Sequence, residues 1–234
     1  MVSEVDKCMT DKENKLYPQD TDEFIRKYAR NGEGAYRFWV GLMEIVGQIL
    51  FRIKVFGNDS IPEKGPGIIC CNHRSWADPA FICAGTKRVM HVLAKRELHD
   101  GKFGFIFRAA RTIPVDRGKS DHNAFAAAVD VLKQGQLVGI FPEGHRNDTD
   151  ELITPLKYGA VRMAQITGAP LIPMVIVGKI EQFSDPVTLY FGKPYYVGED
   201  SDLDVENEKL RQTMVDLYLA NAKNDDPMVL KHHK

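Results

Sequence analysis

Short apolar runs, each bounded by turn or charged residues, recur between residues 67 and 197 and predict strands. The predicted strands comprise residues 67–71, 89–94, 112–115, 137–141, 169–177, 187–191 and 195–197. The runs at 67–71 and 137–141 carry no charged side chain, which is typical of strands that are buried on both faces of a sheet. Two prolines in the run at 169–177 indicate that part of it lies at a sheet edge or at a strand start.

Apolar residues at helical spacing occupy the stretches between several of these strands. The predicted helices begin near Asp78, Asp121, residue 156 and the acidic stretch 199–208. Two of them end at Gly135 and Gly168, since glycine is common just past a helix C-terminus. Strands that alternate with helices predict an α/β fold, and the tail from residue 224 onwards is expected to fray.

The stretch 36–56 is the most apolar helical candidate, and polar Glu44, Gln48 and Arg52 recur in it every four residues. This spacing gathers polarity along one stripe and leaves a wide apolar face. The uninterrupted apolar part is shorter than the roughly 20 residues of a spanning helix, so we expect no membrane crossing. The apolar face either packs on the domain's own core, which periodicity alone favours, or lies in a membrane interface, which a lipid substrate would favour.

Composition narrows the classes of protein. A chain of 234 residues fits a single domain with a sizeable core. Its formal net charge of -1 gives no general attraction to nucleic acid, so any anion site must be local. Four cysteines with neither metal-site spacing nor a disulfide pattern favour a reducing, cytoplasmic setting and no bound metal. Residues 1–22 are polar and charged and lack the pattern of a secretory signal.

The stretch 72–79, Asn-His-Arg-Ser-Trp-Ala-Asp-Pro, sets His73 and Asp78 five residues apart between a predicted strand and a predicted helix. Side chains at this spacing lie on different faces of a continuous helix, so the two can meet only across a turn. If they meet, the carboxylate of Asp78 accepts a hydrogen bond from one ring nitrogen of His73, and the other nitrogen becomes a general base. Alternatively, Asp78 only caps the helix before Pro79, and His73 is only a hydrogen-bonded histidine at a strand end.

This pair predicts direct attack of the substrate on the acyl group, because no serine or cysteine of the protein is placed as an obvious nucleophile. In that chemistry His73 deprotonates a substrate hydroxyl, and the resulting oxygen attacks an acyl carbonyl. Activation of water by the same histidine would instead make the protein a thioesterase.

Residues 142–146, Pro-Glu-Gly-His-Arg, follow another predicted strand, at the position where open α/β sheets place their chemistry. Glu143 can accept hydrogen bonds from substrate hydroxyls, Gly144 allows close backbone approach, and Arg146 can hold an anion. A plain turn rich in proline and glycine is the alternative. The spacing matches no phosphate-cradling nucleotide loop.

Two further cations are candidates for binding an anion. Arg117 follows the predicted strand at 112–115, where its guanidinium can reach a phosphate or instead pair with Asp116 at the surface. Lys157 falls in the first turn of the predicted helix at 156–167, against the preference of the helix dipole, which hints at an anion nearby.

Four blocks of the sequence stand in the order found in one family of enzymes. They are Asn72-His73 with Asp78, the block that ends at residues 115–118, residues 141–146, and Leu171-Ile172-Pro173. With these blocks the chain resembles the glycerolipid acyltransferase family, which includes the 1-acylglycerol-3-phosphate acyltransferases. The resemblance spans residues 55–200, and residues 156–160 also look like the family's lysine-glycine-alanine helix start. Family members usually have threonine at the position of His145.

The resemblance implies a single-domain α/β sandwich with a central mixed, mostly parallel sheet, preceded by an amphipathic helical segment. It implies that His73 and Asp78 are catalytic. The residues that it implies for substrate binding are Arg117, Glu143, Gly144, Arg146 and Lys157. It divides the chain into a polar tail and membrane-associating segment (1–56), an acyltransferase domain (57–222) and a frayed tail (223–234).

The implied activity transfers a fatty acyl group from acyl-CoA or acyl carrier protein to 1-acylglycerol 3-phosphate and yields phosphatidic acid. The thioester is a co-substrate, and no further cofactor is expected. The implied location is the cytoplasmic face of the cell membrane, where the protein would sit as a monotopic protein. The alternative acceptors are glycerol 3-phosphate, another lysophospholipid and a plain alcohol. The alternative kinds of protein are a thioesterase and a catalytically silent module that binds a membrane surface.

Overall fold

The structure is a computed structural model that describes residues 33–116, 121–223 and 226–232. Seven strands, eight α-helices and a short 3-10 helix at Asn58–Ser60 form this part of the chain. The strands are β1 (Lys54–Phe56), β2 (Gly67–Cys71), β3 (Met90–Lys95), β4 (Ile113–Val115), β5 (Leu137–Ile140), β6 (Leu171–Val177) and β7 (Thr188–Phe191). The helices are α1 (Glu33–Phe51), α2 (Asp78–Ala84), α3 (Arg96–Asp100), α4 (Gly104–Ala109), α5 (His122–Lys133), α6 (Gly159–Thr167), α7 (Leu203–Asn221) and α8 (Pro227–His232).

All seven strands form one sheet in the order β1-β7-β6-β2-β5-β3-β4. The five strands from β6 to β4 are parallel to one another. Strand β7 is antiparallel to β6, and β1 runs parallel to β7, so the two strands at this edge point the other way. The expected mixed, mostly parallel sheet is confirmed.

Successive side chains of the strands point into two separate cores, as the pleat of a strand requires. Ile68 and Val138 belong to the core that α5, α6 and α7 cover. Ile69 and Ile172 belong to the core that α1 and α2 cover. The protein is therefore a sheet with helices on both faces, which confirms the expected α/β sandwich.

The carboxyl ends of β2 and β5 bring two loops of the candidate site together. The two strands are adjacent and parallel, with pairing from Gly67 opposite Leu137 to Cys70 opposite Ile140. Parallel strands end at the same edge of a sheet, so the segments that follow Cys71 and Ile140 emerge side by side.

Helix α1 has two apolar stripes. Tyr36, Val40 and Phe51 are buried in the core with α2. A second stripe faces outward and consists of Phe38, Leu42, Ile45, Val46 and Ile49. The expected packing on the domain's own core is therefore confirmed for one face, and contact of the other face with a membrane stays a prediction. Within the described residues, no helix combines the length and the apolar character that crossing a bilayer needs.

Several expected boundaries move. The helical segment expected at 36–56 ends at Phe51, and residues 54–56 form β1, which pairs with β7. The strand expected at 195–197 is wrong, since Tyr195 makes only an isolated bridge to Leu171. Within the tail expected to fray, residues 227–232 form α8, and Met228 is buried.

Candidate active site

The turn between β2 and α2 brings His73 and Asp78 together. Nδ1 of His73 lies 2.8 Å from Oδ2 of Asp78. The same oxygen accepts hydrogen bonds from the backbone N–H groups of Arg74 (2.6 Å) and Ser75 (2.7 Å). A carboxylate oxygen that receives these donors acts as an acceptor, so the proton between the two side chains belongs on Nδ1 of His73. Residues 73–78 are called the His-Asp turn below.

The alternative role of Asp78 as a helix cap is wrong. Helix α2 begins at Asp78 itself, and no side chain caps it. Pro79 stands in the first turn, where its missing N–H leaves no hydrogen bond unmade. The carboxylate turns back towards the residues before it instead, because its hydrogen bonds go to Arg74 and Ser75. It therefore organises the His-Asp turn.

The imidazole of His73 is held from several sides. Its ring stacks on Phe141 with 4.4 Å between ring centroids. Its carbonyl accepts a 2.7 Å hydrogen bond from the N–H of Asn147, so the loop after β5 also supports the backbone. The residue is 5% exposed, and Nε2 has no hydrogen-bond partner among residues 33–116, 121–223 and 226–232. Nε2 is therefore the nitrogen that remains available to take a proton.

Glu143 lies behind the His-Asp turn and not in an open pocket. Its Oε1 accepts a 2.8 Å hydrogen bond from the N–H of His73. Its Oε2 accepts from the N–H (3.0 Å) and the hydroxyl (2.6 Å) of Thr154. The side chain is 1% exposed, and burial raises the pKa of its carboxyl while these hydrogen bonds lower it. A substrate hydroxyl could reach Glu143 only by displacing one of these protein donors.

Two polar residues support the site in roles that the sequence pattern did not indicate. Thr154 donates a hydrogen bond to Glu143, which lies eleven residues earlier in an irregular segment. Asn72 bonds to both the N–H (2.7 Å) and the carbonyl (3.3 Å) of Ile176 in β6, and so continues the sheet beyond the end of β2. Asn72 belongs to the motif that contains His73, but its role depends on the neighbouring strand.

Gly144 has a positive φ of 77°, which favours glycine, and a side chain there would collide with Lys157. A Cβ at Gly144 would lie 2.5 Å from Cε of Lys157. The close approach that this glycine allows is thus made by the lysine side chain. Lys157 precedes α6, which begins at Gly159, so its expected place inside the helix is wrong.

The side chains of His145 and Arg146 are exposed at the same end of the sheet. Within the part of the chain that the structure describes, neither Arg146 nor Lys157 forms an ion pair. Cations without an ion-pair partner are suited to bind an anion. Residues 144–146 are called the Gly-His-Arg loop below. Arg117, the remaining candidate, lies outside the described residues.

A cavity of about 780 Å³ opens at the carboxyl ends of β3, β4 and β5, between α5 and α6. Its apolar walls include Phe125, Leu156 and Met163, and its polar lining includes Lys157 and Arg162. Phe141 lines the cavity and also stacks on the ring of His73. Residue 141 is therefore common to the cavity lining and to the surroundings of the imidazole.

These features define an α/β protein with a buried, hydrogen-bonded histidine–aspartate pair at the carboxyl end of a parallel sheet. The acyltransferase family model matches residues 52–177, more than half of the chain. The chain belongs to the acyltransferase family, and the resemblance to its glycerolipid branch is confirmed.

Proteins with similar sequences and a solved structure with a similar fold are named as acyltransferases that act on 1-acylglycerol phosphates. The 1-acyl-sn-glycerol-3-phosphate acyltransferase of Bacillus subtilis (strain 168) is 32% identical over 145 residues, which are 61% of this chain and 71% of that protein. The enzyme of the same name from Streptococcus pneumoniae is 28% identical over 215 residues, 86% of this chain and 78% of the relative. The crystal structure of the 1-acyl-sn-glycerophosphate acyltransferase PlsC from Thermotoga maritima is similar with a TM-score of 0.63 at 23% identity. That match covers 79% of this chain and 80% of the other and supports the fold.

Proposed function

We propose that this protein is a 1-acylglycerol-3-phosphate O-acyltransferase, which transfers a fatty acyl group from acyl-CoA or acyl carrier protein to give phosphatidic acid. The observation that carries the proposal is the 2.8 Å contact between Nδ1 of His73 and the buried carboxylate of Asp78, which leaves Nε2 as a base. The names of the Bacillus subtilis and Streptococcus pneumoniae relatives supply the substrate class.

The reaction follows from this geometry. Nε2 of His73 takes the proton of the acceptor hydroxyl while the oxygen of that hydroxyl forms a bond to the carbonyl carbon of the thioester. Asp78 stabilises the imidazolium that results. The tetrahedral intermediate then collapses, the carbon–sulfur bond breaks, and the leaving thiolate takes the proton from Nε2. The ester and the free thiol are the products, and His73 returns to its starting state.

Cations near the base suit the phosphate of the acceptor. Arg146 and Lys157 have no carboxylate partner within the described ranges, so a phosphate would find their donors unoccupied. Arg117 is proposed for the same role from the sequence block alone. The cavity beside Phe141 has the apolar walls that an acyl chain needs, and we assign one of the two acyl chains to it.

The test is an acceptor panel with one labelled acyl-CoA and mass identification of the products. The parent protein should acylate 1-acylglycerol 3-phosphate faster than glycerol 3-phosphate, a neutral lysophospholipid or a plain alcohol. His73→Ala should lower transfer by about 10³-fold or more, because the general base is lost. Free fatty acid as the main product would identify a thioesterase, and an absence of donor consumption by the parent would leave only a binding module. Equal rates for His73→Ala and the parent would rule out the assigned base.

Docking on a membrane surface is part of the proposal, because both the acceptor and the product are lipids. The outward stripe of α1 exposes Phe38 (64%), Ile45 (59%) and Ile49 (63%). Trp39 of α1 contacts Phe105, which is itself 47% exposed, so the apolar surface continues onto α4. An exposed apolar surface of this kind fits the interface of a bilayer, and we propose the cytoplasmic face.

Liposome co-sedimentation tests the docking. The double variant Ile45→Glu with Ile49→Glu should lose most of its binding to phosphatidylglycerol vesicles, because two charges enter the apolar stripe. Val205→Glu is the matched control, since Val205 is an exposed apolar residue (64%) on α7. Equal binding by the parent and the double variant would exclude α1 as the docking surface.

A further inference from the structure

A closed ring of hydrogen bonds connects the His-Asp turn to the C-terminal part of the chain. Nη1 of Arg74 donates to the hydroxyl of Tyr218 in α7 at 2.6 Å. That hydroxyl donates to the carboxylate of Asp226, with 3.1 Å to each oxygen. Asp226 accepts from the N–H of Gly178 at 3.1 Å, and the carbonyl of Gly178 faces Nη1 of Arg74 at 3.5 Å.

Two of the ring members are buried and the other two, Arg74 and Gly178, are partly buried, which distinguishes the ring from a surface ion pair. Tyr218 is fully buried, and Asp226 is 4% exposed. Burial raises the pKa of the Tyr218 phenol, so the hydroxyl keeps its proton and can bridge the cation of Arg74 and the anion of Asp226. A buried carboxylate without such partners would be costly, so the ring members depend on one another.

The ring acts on the turn through one residue. Arg74 follows His73 directly, and its backbone N–H donates the 2.6 Å hydrogen bond to Oδ2 of Asp78. The side chain of Arg74 thus fixes the position of a backbone donor that orients the catalytic carboxylate. Gly178 follows the last residue of β6, so the ring also fastens the turn to the carboxyl end of the neighbouring strand.

We propose that Tyr218 and Asp226 are positioning residues for acyl transfer, which act through Arg74 to hold the His-Asp turn in its reactive geometry. The proposal rests on the proposed function for its kinetic consequences. It gives the C-terminal segment a role in turnover although that segment contributes no group to the chemistry.

The kinetic test is a double-mutant cycle. Tyr218→Phe removes only the hydroxyl and should lower kcat about tenfold while the KM of either substrate changes less than about twofold, because geometry and not binding is affected. Arg74→Met should lower kcat similarly, and adding Tyr218→Phe to it should cost nothing more, because the ring is already broken. If the loss of kcat in the double variant equals the product of the two single losses, Tyr218 does not act through Arg74. An unchanged kcat in Tyr218→Phe would overturn the proposal.

Tyr195→Phe is the matched control. The Tyr195 hydroxyl is also buried, but it has no hydrogen-bond partner in the described part of the chain. Its removal should leave kcat unchanged. If Tyr218→Phe does not fold, Asp226→Asn replaces it with the same expectations, since it leaves the apolar packing of α7 intact.

A second readout does not depend on activity. In protein labelled with ¹⁵N-histidine, the ring signals of His73, assigned with His73→Gln, should shift in Tyr218→Phe and stay in place in Tyr195→Phe. Unshifted signals in Tyr218→Phe would overturn the proposal even if the parent transfers no acyl group. A parent without transfer would count against the proposed function, and the signals would still decide the role of the ring.

Discussion

The His-Asp turn and the Gly-His-Arg loop lie at the same end of the sheet but differ in how they are held. In the turn, Oδ2 of Asp78 accepts three hydrogen bonds, and Glu143 and Asn147 hold the backbone of His73. In the loop, the side chain of Arg146 is exposed and makes no ion pair with any described residue. One region is fixed before substrate arrives, and the other keeps its donors unoccupied.

The difference separates two demands of the proposed reaction. A general base must be oriented beforehand, because small displacements of a reacting group cost large factors in rate. A cation that binds a phosphate can remain in water until the phosphate arrives, since leaving an exposed charge unpaired costs little. Substitutions in the turn should therefore act on kcat, and substitutions in the loop should act on KM.

The largest of these effects is expected for Asp78→Asn. The neutral amide can still accept hydrogen bonds but cannot stabilise an imidazolium as a carboxylate does, so kcat should fall about 10²-fold or more. Steady-state kinetics with saturating acceptor and donor would measure it. Asp59→Asn, an exposed aspartate before β2, should change nothing. A rise in acceptor KM with unchanged kcat would place Asp78 in substrate binding instead.

Glu143→Gln should have a smaller effect, and it decides between support of the turn and contact with substrate. Both oxygens of Glu143 accept from protein donors, and glutamine would turn an NH₂ group towards one of them. We expect the free energy of unfolding to fall by about 2 kcal/mol and kcat to fall about tenfold.

Denaturant unfolding and steady-state kinetics measure these two quantities. Glu151→Gln is the control, because it changes an exposed carboxylate in the segment that follows β5, and it should alter neither stability nor kcat. A specific rise in acceptor KM, with stability and kcat intact, would show that Glu143 contacts substrate directly.

The smallest effect is expected for Arg146→Ala. Loss of one charge-assisted contact should raise the KM of the phosphorylated acceptor about tenfold and change kcat less than about twofold. The KM of the acyl donor should stay the same. Lys64→Ala, an exposed cation before β2, is the control for the change in net charge. Equal losses for donor and acceptor would indicate that Arg146 supports the loop structurally.

The sequence predicted the strands of the parallel core and the meeting of His73 with Asp78, because both follow from local rules. Buried strands appear as apolar runs, and a break of a few residues between strand and helix is enough to fold two nearby side chains together. The sequence placed Lys157 inside a helix and residues 195–197 in a strand, whereas the helix begins at Gly159 and Tyr195 makes only an isolated bridge to Leu171.

What the sequence alone determined is the contact between His73 and Asp78 and the α/β pattern around it. Tertiary structure decided that Glu143 turns inward, since its partner His73 is 70 residues away, and that Arg74 reaches Tyr218, 144 residues away. Contacts at such separations leave no periodic signal along the chain, because they arise only when the sheet brings the ends of its strands together.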